Sequence, residues 1–208
     1  MNKRNKLNPL LVQKELKSRG LAIFTPKEFE RLFGVSSTSV HRFLHTYTKK
    51  QFLTKLRNGL YALEEKRPNL TFAANKIYRP SYVSLETALS YYGLIPETVY
   101  AVTSVTPKPT REFVAFGIGF IYTRIKQKAF QGYTTKREGD TTTLIAEPEK
   151  ALADYLYFVS LGKKTLNDRL SIRNLDMKKV REYAKLFDRP SVLRLVETAI
   201  NMPEPEIY

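Results

Sequence analysis

Thr38, Arg42, His45 and Lys49 recur at i, i+4, i+7 and i+11, a spacing that stacks their side chains on one face of a helix. None is apolar, and all four can donate a hydrogen bond when His45 presents an N–H. The major groove of DNA rewards that chemistry: Arg suits guanine O6 and N7, and Thr can bond a base edge or touch a thymine methyl. Val40, Phe43, Leu44 and Tyr47 form the opposite, apolar stripe at i, i+3, i+4 and i+7. His41 and Thr46 flank the polar stripe. Ser36, Ser37 and the backbone N–H groups at the start of this helix suit phosphates, helped by the helix dipole. A solvated surface helix also has a polar face, so the stripe takes its meaning from the elements around it.

Those elements form an ordered set. Thr25-Pro26-Lys27-Glu28 has a capping residue, a first-turn proline and the acid of a capping box. Phe29, Leu32 and Phe33 follow at helical spacing, and Gly34 is suited to end the helix. After the second helix come Leu53-Thr54-Lys55-Leu56, Arg57, Asn58-Gly59 and Leu60-Tyr61-Ala62-Leu63. Asn-Gly between short apolar runs signals a hairpin. Helix, turn, helix and basic hairpin in this order describe a winged helix-turn-helix. Lys55 and Arg57 on the hairpin, with Asn58 at its tip, join the candidate DNA contacts as groups for the backbone or minor groove. A first helix is expected from Asn8-Pro9 through Lys17, with Leu10, Val12 and Leu16 packing on the next two.

Charge agrees with a polyanionic partner. The chain of 208 residues has 35 Lys and Arg against 20 Asp and Glu, a formal net charge of +15. Residues 1–68 hold 15 basic and 5 acidic side chains, so most of the excess lies on the helix-turn-helix half. No apolar run approaches the ~18–20 residues that span a bilayer. The basic opening from Met1 to Leu7 is not followed by a signal-peptide core. The absence of Cys fits a cytoplasmic protein and removes thiol chemistry. His41 and His45 have the i, i+4 spacing of a metal pair, but there is no other His, so the expectation is no metal and no cofactor.

Glu64 to Asn69 has the character of a linker. A helix is expected from Thr71 to Tyr78, and a second from Leu85 to Tyr92, capped by Ser84 and closed by Gly93. Val99 to Thr106, Glu112 to Ile125, and Thr141 to Ile145 after an Asp140 turn have strand composition. Pro148 starts a helix that buries Ala151, Leu152, Tyr155, Leu156 and Val159. Helices near Met177 to Phe187 and Pro190 to Ile200 complete the chain. The expected fold is α+β: a winged helix-turn-helix over residues 1–66, then a mixed α+β domain over residues 67–208.

Three segments of the second half resemble the hallmark segments of AbiEi-type antitoxins. They are Tyr82-Val83-Ser84-Leu85-Glu86-Thr87-Ala88-Leu89-Ser90-Tyr91-Tyr92-Gly93-Leu94-Ile95-Pro96, Val102-Thr103-Ser104-Val105-Thr106, and Ile145-Ala146-Glu147-Pro148-Glu149-Lys150-Ala151-Leu152-Ala153-Asp154. They follow the winged helix in the family's order, and the resemblance runs from near Leu10 to near Ile200. It implies an antitoxin of a type IV toxin–antitoxin system, associated with phage abortive infection, that represses its own operon and counteracts a nucleotidyltransferase-like toxin. The implied operator is an inverted repeat at its own promoter, and the implied DNA contacts are Ser37, Thr38, Arg42 and the wing. A regulator without an antitoxin role stands as an alternative, as does a structural nucleoid protein.

From the residues themselves, Tyr82, Leu85, Leu89, Tyr92 and Leu94 are expected in the core. Glu149, Lys150 and Asp154 are expected as an ion-pair set on a helix surface. Catalysis is not expected. Asp140 and Glu147-Pro148-Glu149-Lys150 approximate a nuclease pattern, but proline occupies the acidic position two before the lysine. Carboxylate or lysine chemistry is the remaining enzyme alternative, because both His lie in the reading helix.

Overall fold

The computed structural model describes residues 7–201. The basic segment 1–6 and the C-terminal segment 202–208 lie outside the described residues.

The first part is built from α1 (Pro9–Ser18), β1 (Ile23–Phe24), α2 (Pro26–Phe33), α3 (Ser37–Lys49), β2 (Leu53–Arg57) and β3 (Leu60–Leu63). The strands form an antiparallel sheet in the order β1-β3-β2. Val12, Leu16, Phe24, Phe29, Val40, Phe43, Leu44, Leu53 and Leu63 are its buried core. Leu10 points away from that core and is 73% exposed, against the expectation that it packs. It lies two residues before Val12, on the other side of a 3.6-residue period.

The second part begins at α4 (Leu70–Ile77) and continues through β4 (Tyr82–Val83), α5 (Leu85–Tyr91), β5 (Ala101–Thr106), β6 (Arg111–Ala115), β7 (Ile118–Arg124), β8 (Tyr133–Glu138), β9 (Thr141–Ala146), α6 (Pro148–Ser160), α7 (Met177–Lys185) and α8 (Pro190–Ile200). Its strands form a mixed sheet in the order β6-β7-β5-β4-β9-β8. The chain is therefore α+β, with α6 at the centre of the helical layer against α5, α7 and α8.

Several local expectations are refined. The strand-like stretch from Glu112 to Ile125 is broken by Phe116 and Gly117, both at positive φ (55° and 73°), into the antiparallel pair β6 and β7. Asn69 belongs to α4 rather than to a free linker: its Oδ1 accepts from Thr71 N at 2.9 Å and Phe72 N at 3.1 Å. Ser84 precedes α5 but makes no capping bond. Its hydroxyl instead donates to Asp154 Oδ2 at 2.8 Å.

That bond reveals the main correction in this half. Lys150 and Asp154 are not on a surface; both side chains are fully buried. Asp154 receives the Lys150 ammonium, the Ser84 hydroxyl and the Tyr82 hydroxyl, the last at 3.0 Å. Lys150 Nζ also lies 5.0 Å from the Phe187 ring centre and 5.7 Å from that of Tyr82. Burial pushes the Asp154 carboxyl up and the Lys150 ammonium down, each opposed by the partner's charge. Glu149 is buried as well and accepts from Asp176 N at 3.4 Å. The physical reason is that α6 is covered on several sides at once, so it has no solvated face for charges to occupy.

The hairpin β2–β3 is shared between two cores. Leu53 and Leu63 belong to the smaller one, whereas Leu56, Leu60 and Ala62 pack with the large core of the second part. The two-residue period of a strand sends alternate side chains to opposite faces, so one hairpin seals both.

Candidate nucleic-acid interface

α2 is held at both ends by its own sequence. Thr25 Oγ1 accepts from Glu28 N at 3.2 Å, and Glu28 returns the bond by accepting from Thr25 N at 2.7 Å. Gly34 closes the helix at φ 61°, donating to the Glu30 carbonyl at 2.9 Å. The chain re-enters helix at once, with Ser36 capping α3 through a 3.4 Å bond from Ser39 N. An aromatic chain then locks α3 onto α2. Phe29 and Phe43 have ring centres 5.4 Å apart, and Phe43 and Tyr47 are 4.2 Å apart.

Packing one face of α3 leaves the other outside. Ser36, Ser37, Thr38, His41, Arg42, His45 and Lys49 are all exposed. Among the described residues, the side chains of Arg42, His45 and Lys49 make no hydrogen bond or ion pair. The polar stripe is thus a row of unengaged donors over about 16 Å of a 13-residue helix. Ser36 Oγ is 3.0 Å from Ser39 Oγ, so its hydroxyl is committed to the cap.

The hairpin beside α3 places its candidates unequally. Gly59 takes φ 72° and the register slips between Lys55 and Arg57, the signature of a turn closed by a glycine bulge. Lys55 and Asn58 are exposed. Arg57 is only half-exposed: Nη1 donates to the Asn58 carbonyl at 2.7 Å, and its buried Nε has no partner among the described residues. Its charge is felt by Tyr122 in the second part, whose hydroxyl burial pushes well above the ordinary phenol range. Arg57 therefore sits against the large core, and Lys55 is the freer cation. Spacing within the hairpin could not distinguish the two.

The carboxylates of the nuclease-like pattern are spread among other partners. Glu147 accepts from Tyr183 at 2.8 Å and pairs with Lys179 at 2.6 Å, contacts that hold its carboxyl below the usual range. Asp154 is enclosed with Lys150, and Asp140 lies in the exposed β8–β9 turn. Among the described residues, no group of three or more His, Asp or Glu is placed to hold a metal ion. No helix there is long and apolar enough to cross a membrane.

No family model matches this chain, and neither does any curated protein.

Proposed function

We propose that this chain is a sequence-specific DNA-binding regulator whose first part is a winged helix-turn-helix, with α3 as the reading helix and β2–β3 as the wing. The observation that carries this reading is the face of α3 opposite the Phe43 stack. Thr38, Arg42, His45 and Lys49 lie along it in the open, and Arg42, His45 and Lys49 are without intramolecular partners among the described residues. Ser37 and the helix start serve phosphates, Arg42 and Thr38 serve base edges, and Lys55 and Asn58 serve the flanking backbone. The concentration of positive charge in residues 1–68 steers the encounter.

The resemblance of the second part to AbiEi-type antitoxins supports a more specific role. In that reading the protein works in the cytoplasm as an autorepressor at an inverted repeat in its own promoter. It also counteracts a nucleotidyltransferase-like toxin. The test is a competition between a duplex from the promoter of its own gene and a scrambled duplex, at about 0.15 M salt. A specific regulator prefers the promoter by ~10³-fold or more. Equal affinity contradicts it and favours a nucleoid-type structural protein.

A further inference from the structure

In the second part, the end of α4, the loop after it and strands β8 and β9 frame a cavity of about 350 Å³. Its wall is aromatic. Phe130 and Tyr133 line it, with ring centres 5.5 Å apart. Tyr133 is held in place from behind by Tyr82, stacked at 4.7 Å. The rim is cationic, with Lys76 near the end of α4 and Arg79 just beyond it. Arg79 Nε donates to the Asn75 carbonyl at 3.1 Å, which fixes the guanidinium while leaving its terminal nitrogens unpartnered among the described residues. Lys76 Nζ rests 5.0 Å from the Phe72 ring centre and has no carboxylate bound to it among the described residues. Burial, and then the Arg79 charge, lower the Lys76 pKa, with the Glu28 charge opposing. Two cations are thus held together without an anion between them.

Ser81 also lines the cavity but is 3% exposed, and its hydroxyl oxygen, without a hydrogen-bond partner among the described residues, is itself buried. No carboxylate is among the described residues lining the cavity.

We propose that this cavity binds a small phosphorylated ligand with a planar ring, of the mononucleotide class. Arg79 and Lys76 take the phosphate, and the ring lies against Phe130 and Tyr133. Arginine supplies the planar fork that phosphate oxygens match, and an aromatic wall accepts any base because every base has a π-face. The volume falls within the range of small-ligand sites.

Isothermal titration of the full chain, without DNA, with 5′-AMP, adenosine and inorganic phosphate separates the contributions. Saturable 1:1 binding of 5′-AMP is expected, with adenosine and phosphate each weaker by about tenfold or more. Arg79→Ala and Lys76→Gln should each weaken 5′-AMP by about tenfold while leaving the circular dichroism spectrum and melting temperature unchanged. Arg42→Ala should leave it unaltered, which separates this site from the DNA face. Absence of 5′-AMP binding to the folded chain at millimolar concentration overturns the proposal. So does binding that survives both cavity variants. Phosphate binding as tightly as 5′-AMP overturns the ring-binding half and leaves a simple anion site in its place.

Discussion

Arg42 and Phe43 are neighbours on α3 whose side chains are committed to opposite surroundings: Phe43 is buried against Phe29 with ring centres 5.4 Å apart, and Arg42 is exposed and unpartnered among the described residues. The aromatic contact fixes the rotation of the helix, and that rotation presents the guanidinium. Arg42→Ala is therefore expected to leave stability within about 0.5 kcal/mol, as for an ordinary surface substitution. It should lose about 1–3 kcal/mol of promoter affinity and blur preference at one base pair. Phe43→Ala should do the reverse in order, destabilising the fold by about 3–5 kcal/mol and losing DNA binding only as a consequence. Thermal melts beside binding isotherms on single-base operator variants separate the two.

The two cations of the β2–β3 hairpin should also part company. Lys55 is exposed, so Lys55→Ala should weaken all duplexes alike and reduce the salt slope by about one unit per lost phosphate contact. Arg57 is bonded to the Asn58 carbonyl and partly buried, so Arg57→Ala should also loosen the hairpin tip. A binding series in salt, paired with hydrogen exchange at Gly59 and Leu60, checks this. Identical behaviour of the two variants in both measurements would contradict their different placement.

Leu60 ties the hairpin to the large core, where it is 6% exposed. Leu60→Ala is expected to destabilise the chain by about 2–5 kcal/mol. It should also lower protection in both halves, because the same two strands carry Leu53 and Leu63 into the smaller core. A fragment beginning at residue 69 lacks Leu56, Leu60 and Ala62, and should be less stable than one that begins before β2. Chemical denaturation of the two fragments measures the difference.

Lys150 and Asp154 form a buried pair whose value lies in being complete. Lys150→Met leaves a buried carboxylate to be neutralised and should cost about 3–5 kcal/mol. Adding Asp154→Leu should recover a large part of that loss, since well-packed apolar replacements of buried pairs are often tolerated. The sign with pH follows from the directions of the shifts. The raised Asp154 pKa favours its neutral form in the folded state, so Lys150→Met should be least harmful in acid and worsen as pH rises through the folded Asp154 pKa. A double-mutant cycle by urea denaturation at several pH values tests both statements.

The elements around α3 are legible in the sequence because local chemistry and tertiary demand agree there. Thr25 and Glu28 form the capping box their spacing predicts, Gly34 takes the left-handed cap, and Val40, Phe43 and Leu44 are buried together. β8 is not legible, because Tyr133 to Glu138 is an edge strand with most of both faces in solvent, so no alternation marks it. β1 and β4 have two residues each, too few for any period to show. The Lys150–Asp154 pair fails for another reason: an i, i+4 charge pair has the same spacing on a surface or in a core. The signal that locates it is the surrounding run of Ala151, Leu152, Ala153, Leu156 and Phe158, which puts apolar residues on every side of α6. The cavity at Lys76, Arg79 and Ser81 joins α4 to β8 and β9, a juxtaposition that depends on strand order and not on local sequence.

The most direct test of DNA reading by α3 is a two-dimensional amide and side-chain NMR titration of the full chain with its promoter duplex at about 0.15 M salt. The expected perturbations fall on Ser37, Thr38, Arg42, His45 and Lys49, and on Lys55 and Asn58 of the hairpin, and are much weaker with a scrambled duplex. Perturbations that spare α3 and fall on α7 and α8, or that are the same for both duplexes, would contradict it.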